Sequence, residues 1–268
     1  MRYSRAERLD EIPKAAGDIT RLACTHAAAK GVDVDALLRK ADLSPSQIYD
    51  TDSRLDVGRQ IKFLNLVAEA LNDDLLGFHL SEKFDLRRVG LLHYVFASSG
   101  TLNEGMQRAA RYSSIVNEGI KLIHREGKEI GLIFEYVGVA RHSDRHQIEF
   151  WMAALMRGCR ELTKRRLNAD RVSFVHRRSA SSELRSFYGC ELGFGADVDE
   201  MKFPPSIGSV PIVGADPYLN ELLTNYCEEA VARRQTIKNS VRISVENAIA
   251  VLLPHGKAQI TEVACKLA

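Results

Sequence analysis

Long hydrophobic runs are missing from this sequence. The longest unbroken apolar stretch, residues 150–156, is far shorter than the roughly 20 residues that a helix needs to cross a bilayer. Residues 1–8 are charged and no apolar segment follows them, so no secretory signal is predicted. The sequence therefore predicts a cytoplasmic protein without a membrane partner.

Neither sign of charge is in excess. Lys and Arg together number 37 and Asp and Glu 35, which gives a formal net charge of +2. Nucleic-acid binding by the whole chain is not predicted from this balance, and any such function must lie in a local segment. The hydrophobic content of 45% and the charged content of 27% are typical of globular proteins and exclude disorder and fibrous repeats.

Cysteine is scarce and scattered. The five cysteines are an odd number, and no two of them have the two-residue gap of a zinc knuckle or a redox site. We therefore expect free thiols in a reducing compartment.

Signatures of enzymes are also missing. No Gly-Lys-Ser/Thr occurs, and Gly193, Phe194 and Gly195 lack the third glycine and the strand-turn-helix context of a dinucleotide fingerprint. There is no Gly-x-Ser-x-Gly elbow and no cysteine in a recognisable catalytic context. The sequence predicts no catalytic residue and no cofactor.

One histidine pair has metal-ligand spacing. His142, His146 and Glu149 would place two imidazoles and a carboxylate on one helix face, an arrangement that divalent metals use. No glutamate lies between the two histidines as in the metalloprotease motif, so exposed or core-edge histidines are the favoured interpretation. We predict no metal site.

Two short basic clusters interrupt the otherwise balanced charge. The first is Lys164, Arg165 and Arg166, and the second is His176, Arg177 and Arg178. Solvated helix ends explain such clusters best, because cations there also interact favourably with the helix dipole.

Hydrophobic periodicity predicts an α+β fold. Residues up to 113 show several apolar faces at the 3.6-residue period, with helix starts at Ser44 followed by Pro45 and at a Thr101 to Glu104 capping box. Further elements are predicted as a β-hairpin over 119–137, a helix over 143–166, a strand over 172–176, a helix over 181–188, a strand over 200–203 and a helix over 216–233. This pattern indicates a helical N-terminal portion packed on a small mixed β-sheet, followed by a helical tail.

A domain boundary is predicted after residue 235. Residues 233–239 are polar, basic and poor in apolar side chains, which favours a linker. Apolar helical faces follow over 241–252 and again over 260–267. We therefore divide the chain into a domain over 1–235 and a second segment over 236–268.

The last 26 residues carry a specific pattern. Leu253-Pro254-His255-Gly256 ends one predicted helix, and Ile260, Val263, Ala264 and Leu267 space the next. This segment closely resembles the opening of the helix-turn-helix DNA-binding domain of AraC-type transcriptional regulators. Roughly residues 15 to 235 resemble the arabinose-binding-type N-terminal domain found in one branch of that family. The short motifs that carry this resemblance are Gly90-Leu91-Leu92-His93-Tyr94, Thr101-Leu102, Arg111-Tyr112, Phe203 and Ala215-Asp216-Pro217-Tyr218-Leu219.

The resemblance implies a bacterial transcription factor that senses a small-molecule effector, forms a homodimer and binds operator DNA. The recognition helix of the family would follow Ala268, so we expect this chain to be truncated within the first helix-turn-helix. Of the residues present, Arg242, Lys257 and Lys266 could supply only phosphate contacts. The helix over 216–233 is the candidate dimer interface. A stand-alone small-molecule-binding or enzymatic α+β domain is the alternative.

An effector pocket is expected between the sheet and the flanking helices, where apolar walls meet a few polar groups. Arg111 could pair with a ligand carboxylate, which favours organic acids as effectors. For any single residue the favoured interpretation is still ordinary core packing of the aromatic side chains and an internal salt bridge of Arg111. The candidate effector-binding residues are Tyr94, Arg111, Tyr112, Phe134, Tyr136, Phe174 and His176.

Overall fold

The computed structural model describes residues 12–139, 144–179, 181–252 and 259–267. Two compact units make up the chain, Met1–Thr224 and Asn225–Ala268. The predicted boundary after residue 235 stays a prediction. No helix among the described residues is long and apolar enough to cross a membrane.

Helices dominate the first half of the larger unit, as the sequence predicts. Ser44 begins one of them with a full capping box, in which its hydroxyl accepts from Gln47 and the Gln47 side chain accepts from the Ser44 N–H. The helices are α1 (Asp18–Ala28), α2 (Val34–Lys40), α3 (Pro45–Tyr49), α4 (Val57–Leu71), α5 (Leu76–Lys83), α6 (Leu91–Ala97) and α7 (Leu102–Tyr112).

The capping box predicted at Thr101 is only half formed. The Thr101 hydroxyl accepts from the Glu104 N–H at 3.3 Å, but the Glu104 carboxylate accepts from the N–H of Gly100 instead of Thr101. The helix start is nevertheless where the sequence predicts it.

A two-stranded sheet among these helices was not predicted. Strand β1 (Lys14–Ala16) pairs antiparallel with β2 (Arg54–Asp56). Each strand has three residues, which is too short for alternation to be read from a sequence.

The second half of the unit forms a five-stranded mixed sheet. Its strands are β3 (Ile120–Arg125), β4 (Ile130–Tyr136), β5 (Arg171–Phe174), β6 (Leu192–Phe194) and β7 (Asp199–Phe203), in the spatial order β3-β4-β7-β5-β6. Only the β5–β6 pair is parallel. The β3–β4 hairpin confirms the prediction for residues 119–137, and Leu122 pairs with Phe134 within it. The sequence does not predict β6, because Gly193 and the three-residue length of the strand are typical of a loop.

Helix α8 (Arg145–Thr163) connects the hairpin to β5, and helix α9 (Ser182–Tyr188) follows β5. Lys164, at φ 54°, ends α8 in the left-handed conformation two residues before the predicted end. Phe150 and Ala154 of α8 pack into the core of the N-terminal helices, whereas Met152 and Met156 pack into the core on the sheet. The α+β class is therefore confirmed, with α8 buried on two faces.

The prediction of a linker over residues 233–239 is wrong, because this segment is helical. Helix α10 runs without interruption over Pro217–Leu252, and α11 covers Ile260–Leu267. Arg, Gln and Lys are good helix formers and the segment has no glycine or proline, so polarity alone does not interrupt a helix. The Asp216 carboxylate accepts from the Leu219 N–H at 3.0 Å and thereby caps the start of α10.

Candidate functional site

A cavity of about 120 Å³ lies in the larger unit, between the face of β3 and β4 and the helices that cover it. Helices α6, α7 and α8 supply most of the other wall, together with two 3₁₀ helices at Leu86–Val89 and Ser113–Ile115. We call the residues around it the cavity wall. They are Leu86, Val89, Leu92, His93, Phe96, Ala109, Ser113, Val116, Asn117, Ile120, Leu122, Phe134, Trp151, Ala154, Leu155, Gly158 and Leu162.

The cavity wall is almost entirely apolar. His93, Ser113 and Asn117 are its polar members besides the indole of Trp151, and within the described part of the chain it includes no Asp, Glu, Lys or Arg. A charged ligand group would lose its hydration here without gaining an ionic partner, which is strongly unfavourable. The wall therefore favours an uncharged ligand.

Two wall residues carry buried N–H groups that lack an acceptor. Asn117 is 4% exposed, and its Oδ1 accepts from the Gly119 N–H at 2.9 Å, which leaves Nδ2 without a hydrogen-bond partner. The Nε1 of Trp151 is likewise buried and without a partner. Since buried donors in native proteins are nearly always paired, these two atoms need an explanation.

The other two polar wall residues differ from this pair. Ser113 is satisfied, because its hydroxyl donates to the Ala110 carbonyl and accepts from the Leu122 N–H. Burial lowers the pKa of His93, so its imidazole is neutral at physiological pH. His93 therefore adds a hydrogen-bonding group but no charge to the wall.

Of the seven residues predicted to bind an effector, the structure brings Phe134 to the cavity wall. Tyr112 is fully buried, and the guanidinium of the exposed Arg111 lies 5.8 Å from the centroid of its ring. Tyr94 is 47% exposed. The Tyr136 hydroxyl donates to the side chain of Gln147 at 2.9 Å.

Phe174 and His176 belong to a different aromatic cluster. The Phe174 ring stacks on Phe194 with centroids 5.4 Å apart, and His176 packs against both rings. The effector roles assigned to these residues stay predictions, but their positions do not form one pocket with Phe134.

Most of the wall residues are not among the seven predicted effector-binding residues. Leu155 and Gly158, for example, come from α8, for which the sequence predicts a helix but no part in the pocket. The signal available was the unbroken apolar run over 150–156, since a helix that is apolar all round is buried on more than one side. Asn117 lies in a turn and had no sequence signal.

A buried ionic network joins α8 to the segment after β5. Glu149 is fully buried, and its Oε1 lies 2.9 Å from His176 Nε2 and 2.8 Å from a guanidinium nitrogen of Arg178. Arg178 also contacts Asp74 at 2.9 Å, and Arg145 contacts the same carboxylate at 2.7 Å. The guanidinium of Arg178 therefore compensates the charge of Glu149, and His176 is hydrogen-bonded to the same carboxylate oxygen.

This network corrects one of the two basic-cluster predictions. Lys164, Arg165 and Arg166 are exposed at the end of α8, as predicted. The second cluster is no solvated helix end, because it follows a strand and the Arg178 side chain is only 6% exposed. The carboxylates of Glu149 and Asp74 compensate its charge, which a sequence window around Arg178 cannot show.

Two residues of the metal alternative, His146 and Glu149, lie among the described residues. His142 lies outside the described residues, and Glu149 is engaged by His176 and Arg178. Among the described residues, no group of three His, Cys, Asp or Glu side chains is placed to hold a metal ion.

His146 makes the stability of the fold depend on pH. Burial, with a smaller effect of Arg145, lowers its pKa to about 4, whereas an unfolded chain has a histidine pKa of roughly 6.5. The unfolded state therefore takes up the proton first, and the stability present above pH 6.5 is lost as the pH falls towards 4. Between pH 7 and pH 5 we expect His146 to account for a loss of about 2 kcal/mol in the free energy of unfolding.

Urea unfolding of the wild type and of His146→Gln at both pH values tests this prediction. The variant should lose less stability than the wild type on acidification, because its amide does not titrate in this range. An identical pH dependence in the two proteins would contradict the assignment to His146.

The predicted DNA-contacting residues lie towards the end of the chain. Arg242 is on α10 and Lys266 is on α11, whereas Lys257 lies outside the described residues. Their role in DNA binding stays a prediction. Cys24, Cys159 and Cys190 are free thiols, as expected.

Comparison with known proteins adds to this geometry. Among solved structures, the chain is similar to the transcriptional regulator CdpR from Pseudomonas aeruginosa, with 14% sequence identity and a TM-score of 0.53. The similarity covers 76% of this chain and 64% of that one, and at this identity it supports the fold alone. No curated protein sequence matches the chain.

The family comparison covers more than half of the chain. Residues 31–212 match the family model described as the arabinose-binding domain of AraC transcription regulator, N-terminal. The whole cavity wall falls inside this range. The chain therefore belongs to the family of AraC-type transcription regulators that carry an arabinose-binding-type N-terminal domain.

Proposed function

We propose that this chain senses a small-molecule effector in its N-terminal domain and transmits the signal to DNA as part of a cytoplasmic, homodimeric transcriptional regulator. One observation carries the proposal: the cavity lies within the residues that match the family's N-terminal domain. Residues 1–235 would form the sensing and dimerisation domain, with the segment 216–233 as the candidate interface. Residues 236–268 would begin the helix-turn-helix domain.

A short hydrogen-bonded route supports the coupling of the cavity to α10. Helix α6 supplies Leu92, His93 and Phe96 to the cavity wall. The side-chain amide of Asn220, in the first turn of α10, donates to the Val95 carbonyl at 2.8 Å. A ligand that shifts α6 would thereby act on the start of α10, which gives a physical link between two states of the regulator.

Two serines at the end of α6 strengthen this link. The Asn220 amide nitrogen also lies 3.1 Å from the Ser98 hydroxyl and 3.2 Å from that of Ser99. Both serines are about 1% exposed, so the contact is shielded from water. If α6 moves, water therefore cannot replace the hydrogen bonds that join it to Asn220.

Selection of genomic DNA fragments tests the proposal. The natural gene product that contains this chain should enrich a recurring sequence with two half-sites, because a dimer presents two reading heads. The 268-residue chain alone should bind DNA weakly and without sequence preference, since Arg242, Lys257 and Lys266 offer phosphate contacts only. Absence of an enriched sequence with the natural gene product would instead support a stand-alone binding or enzymatic domain.

A further inference from the structure

We propose that residues 86–94 form a lid over the cavity and that Gly90 is the hinge on which this lid opens. The lid consists of the 3₁₀ helix Leu86–Val89, Gly90 and the first residues of α6, Leu91 to Tyr94. Opening of the lid is a property of the domain and does not depend on the proposed function, whereas the use of this opening in signalling rests on that function.

The lid separates the cavity from water as a single layer of chain. Four of its residues belong to the cavity wall, and three others are exposed on its outer side. The wall residues are Leu86, Val89, Leu92 and His93, and the exposed residues are Arg87, Arg88 and Tyr94. Because the outer residues are exposed, no further element of the described chain covers this side of the cavity.

Gly90 has a backbone conformation that only glycine adopts without strain. Its φ is 63° and its ψ is −131°, which is the mirror image of an extended conformation. A Cβ at Gly90 would meet no atom of the described chain within 4 Å, so the backbone angles, and not close packing, require glycine here. Since glycine adopts many combinations of φ and ψ, a rotation at Gly90 can move the two halves of the lid at low cost in free energy.

Few hydrogen bonds hold the lid in place. Its backbone hydrogen bonds are local, such as those from the Gly90 N–H to the Arg87 carbonyl and from the His93 N–H to the Gly90 carbonyl, both at 2.9 Å. Within the described part of the chain, the hydrogen bond that ties the lid to a distant segment joins Arg88 to Asp18 at 3.3 Å, and the Arg88 side chain is 58% exposed. An exposed ion pair contributes little, so the lid can open without unfolding of the domain.

The elements next to the lid are held more firmly than the lid itself. Helix α8 packs into both cores, and the part of α6 that follows the lid packs closely on α7, where a Cβ at Gly105 would lie 2.1 Å from the Phe96 ring. The Val95 carbonyl, directly after the lid, accepts from the Asn220 side chain of α10 at 2.8 Å. Movement of the lid therefore acts on the residue that contacts α10.

A thiol on the cavity wall can report the opening of the lid. Ala109 is 3% exposed and lies on α7, so Ala109→Cys places a thiol on the wall but outside the lid. Methyl methanethiosulfonate adds a methylthio group to this thiol, and mass spectrometry of peptides gives the modification rate of each cysteine separately. Cys159 is fully buried and is not a wall residue, so its modification rate reports global unfolding.

Gly90→Ala, combined with Ala109→Cys, should raise the modification rate of the introduced thiol roughly fivefold to thirtyfold, because alanine at a positive φ destabilises the closed lid. Gly31→Ala is the matched control, since Gly31 has a φ of 78° and its Cβ would also meet no atom of the described chain within 4 Å. This control introduces similar backbone strain outside the lid and should leave the modification rate unchanged.

Equal acceleration by Gly90→Ala and Gly31→Ala would overturn the proposal, and so would a Cys159 rate that rises together with that of the introduced thiol. An unchanged rate in Gly90→Ala would also overturn it. Melting temperatures show whether each variant is folded. If Gly90→Ala does not fold, Arg88→Ala removes the contact with Asp18 and should raise the rate roughly twofold to fivefold. Arg87→Ala, which removes only the local pair with Asp85, is its control, and equal rates in these two variants would contradict the lid.

DNA occupancy by the natural gene product separates this inference from the proposed function. If Gly90→Ala accelerates modification of the introduced thiol but leaves DNA occupancy unchanged, signalling through the lid is contradicted while the lid itself stands. If Gly90→Ala changes DNA occupancy while the modification rate stays that of the wild type, the lid is contradicted while regulation stands.

Discussion

Replacing Glu149 by leucine is expected to lower the free energy of unfolding by about 3 to 5 kcal/mol. The carboxylate is fully buried and compensates Arg178, whose side chain is 6% exposed, at 2.8 Å. Without it, the carboxylate left beside Arg178 among the described residues is that of Asp74, whose side chain is 65% exposed, so the buried charge is poorly compensated. Loss of one member of a buried ion pair is among the most destabilising single changes.

Urea unfolding at pH 7 measures this effect, with Glu191→Gln as the control. The Glu191 and Arg185 side chains form an exposed pair at 3.3 Å, which should contribute less than about 1 kcal/mol. The double variant Glu149→Leu with Arg178→Met should recover much of the loss, because no unpaired charge stays buried. A loss in Glu149→Leu as small as that in Glu191→Gln would contradict the burial of the pair.

Replacing Gly77 by alanine is expected to destabilise the protein by about 3 kcal/mol or more. A Cβ at this position would lie 1.9 Å from the carbonyl oxygen of His146 and 2.7 Å from its carbonyl carbon. Backbone atoms cannot rotate away as a side chain can, so α5 and the start of α8 would have to separate. The steric clash costs more free energy than the roughly 1 kcal/mol by which alanine stabilises a helix interior relative to glycine.

Gly158→Ala is the matched control, because it makes the same chemical change in α8. Its Cβ would make an ordinary contact with Leu86, so the helix propensity of alanine should raise stability by up to about 1 kcal/mol. The two alanine variants are therefore expected to shift the melting temperature in opposite directions. Equal shifts would show that α5 and α8 do not approach as closely as described.

Local patterns predicted much of the chain's secondary structure. The 3.6-residue and two-residue periods indicated most of the helices and the β3–β4 hairpin, since these depend on residues close in sequence. Errors occurred where local signals are weak or ambiguous. Strands β1, β2 and β6 have three residues each, and the polar segment 233–239 contains good helix formers that a linker would also contain.

The site was predicted less well than the fold. The sequence indicated a pocket between the sheet and its helices, and the cavity lies there, but Phe134 is the single predicted residue on its wall. Aromatic type was the criterion for the prediction, and aromatic residues fill cores as readily as pockets. Leu155, Gly158 and Asn117 are identified as wall residues only by the tertiary structure.

The sequence by itself determined the α+β class, the hairpin and the resemblance to AraC-type regulators, because periodicity and motifs are properties of neighbouring residues. Only the tertiary structure decided which side chains surround the cavity and which charges are compensated. Phe134 and Trp151 line the same cavity, and Asp74 lies beside Arg178 although the two are 104 positions apart in the sequence. Such contacts depend on how α8 packs between the helices and the sheet, and no local pattern encodes the distance between residues on different elements.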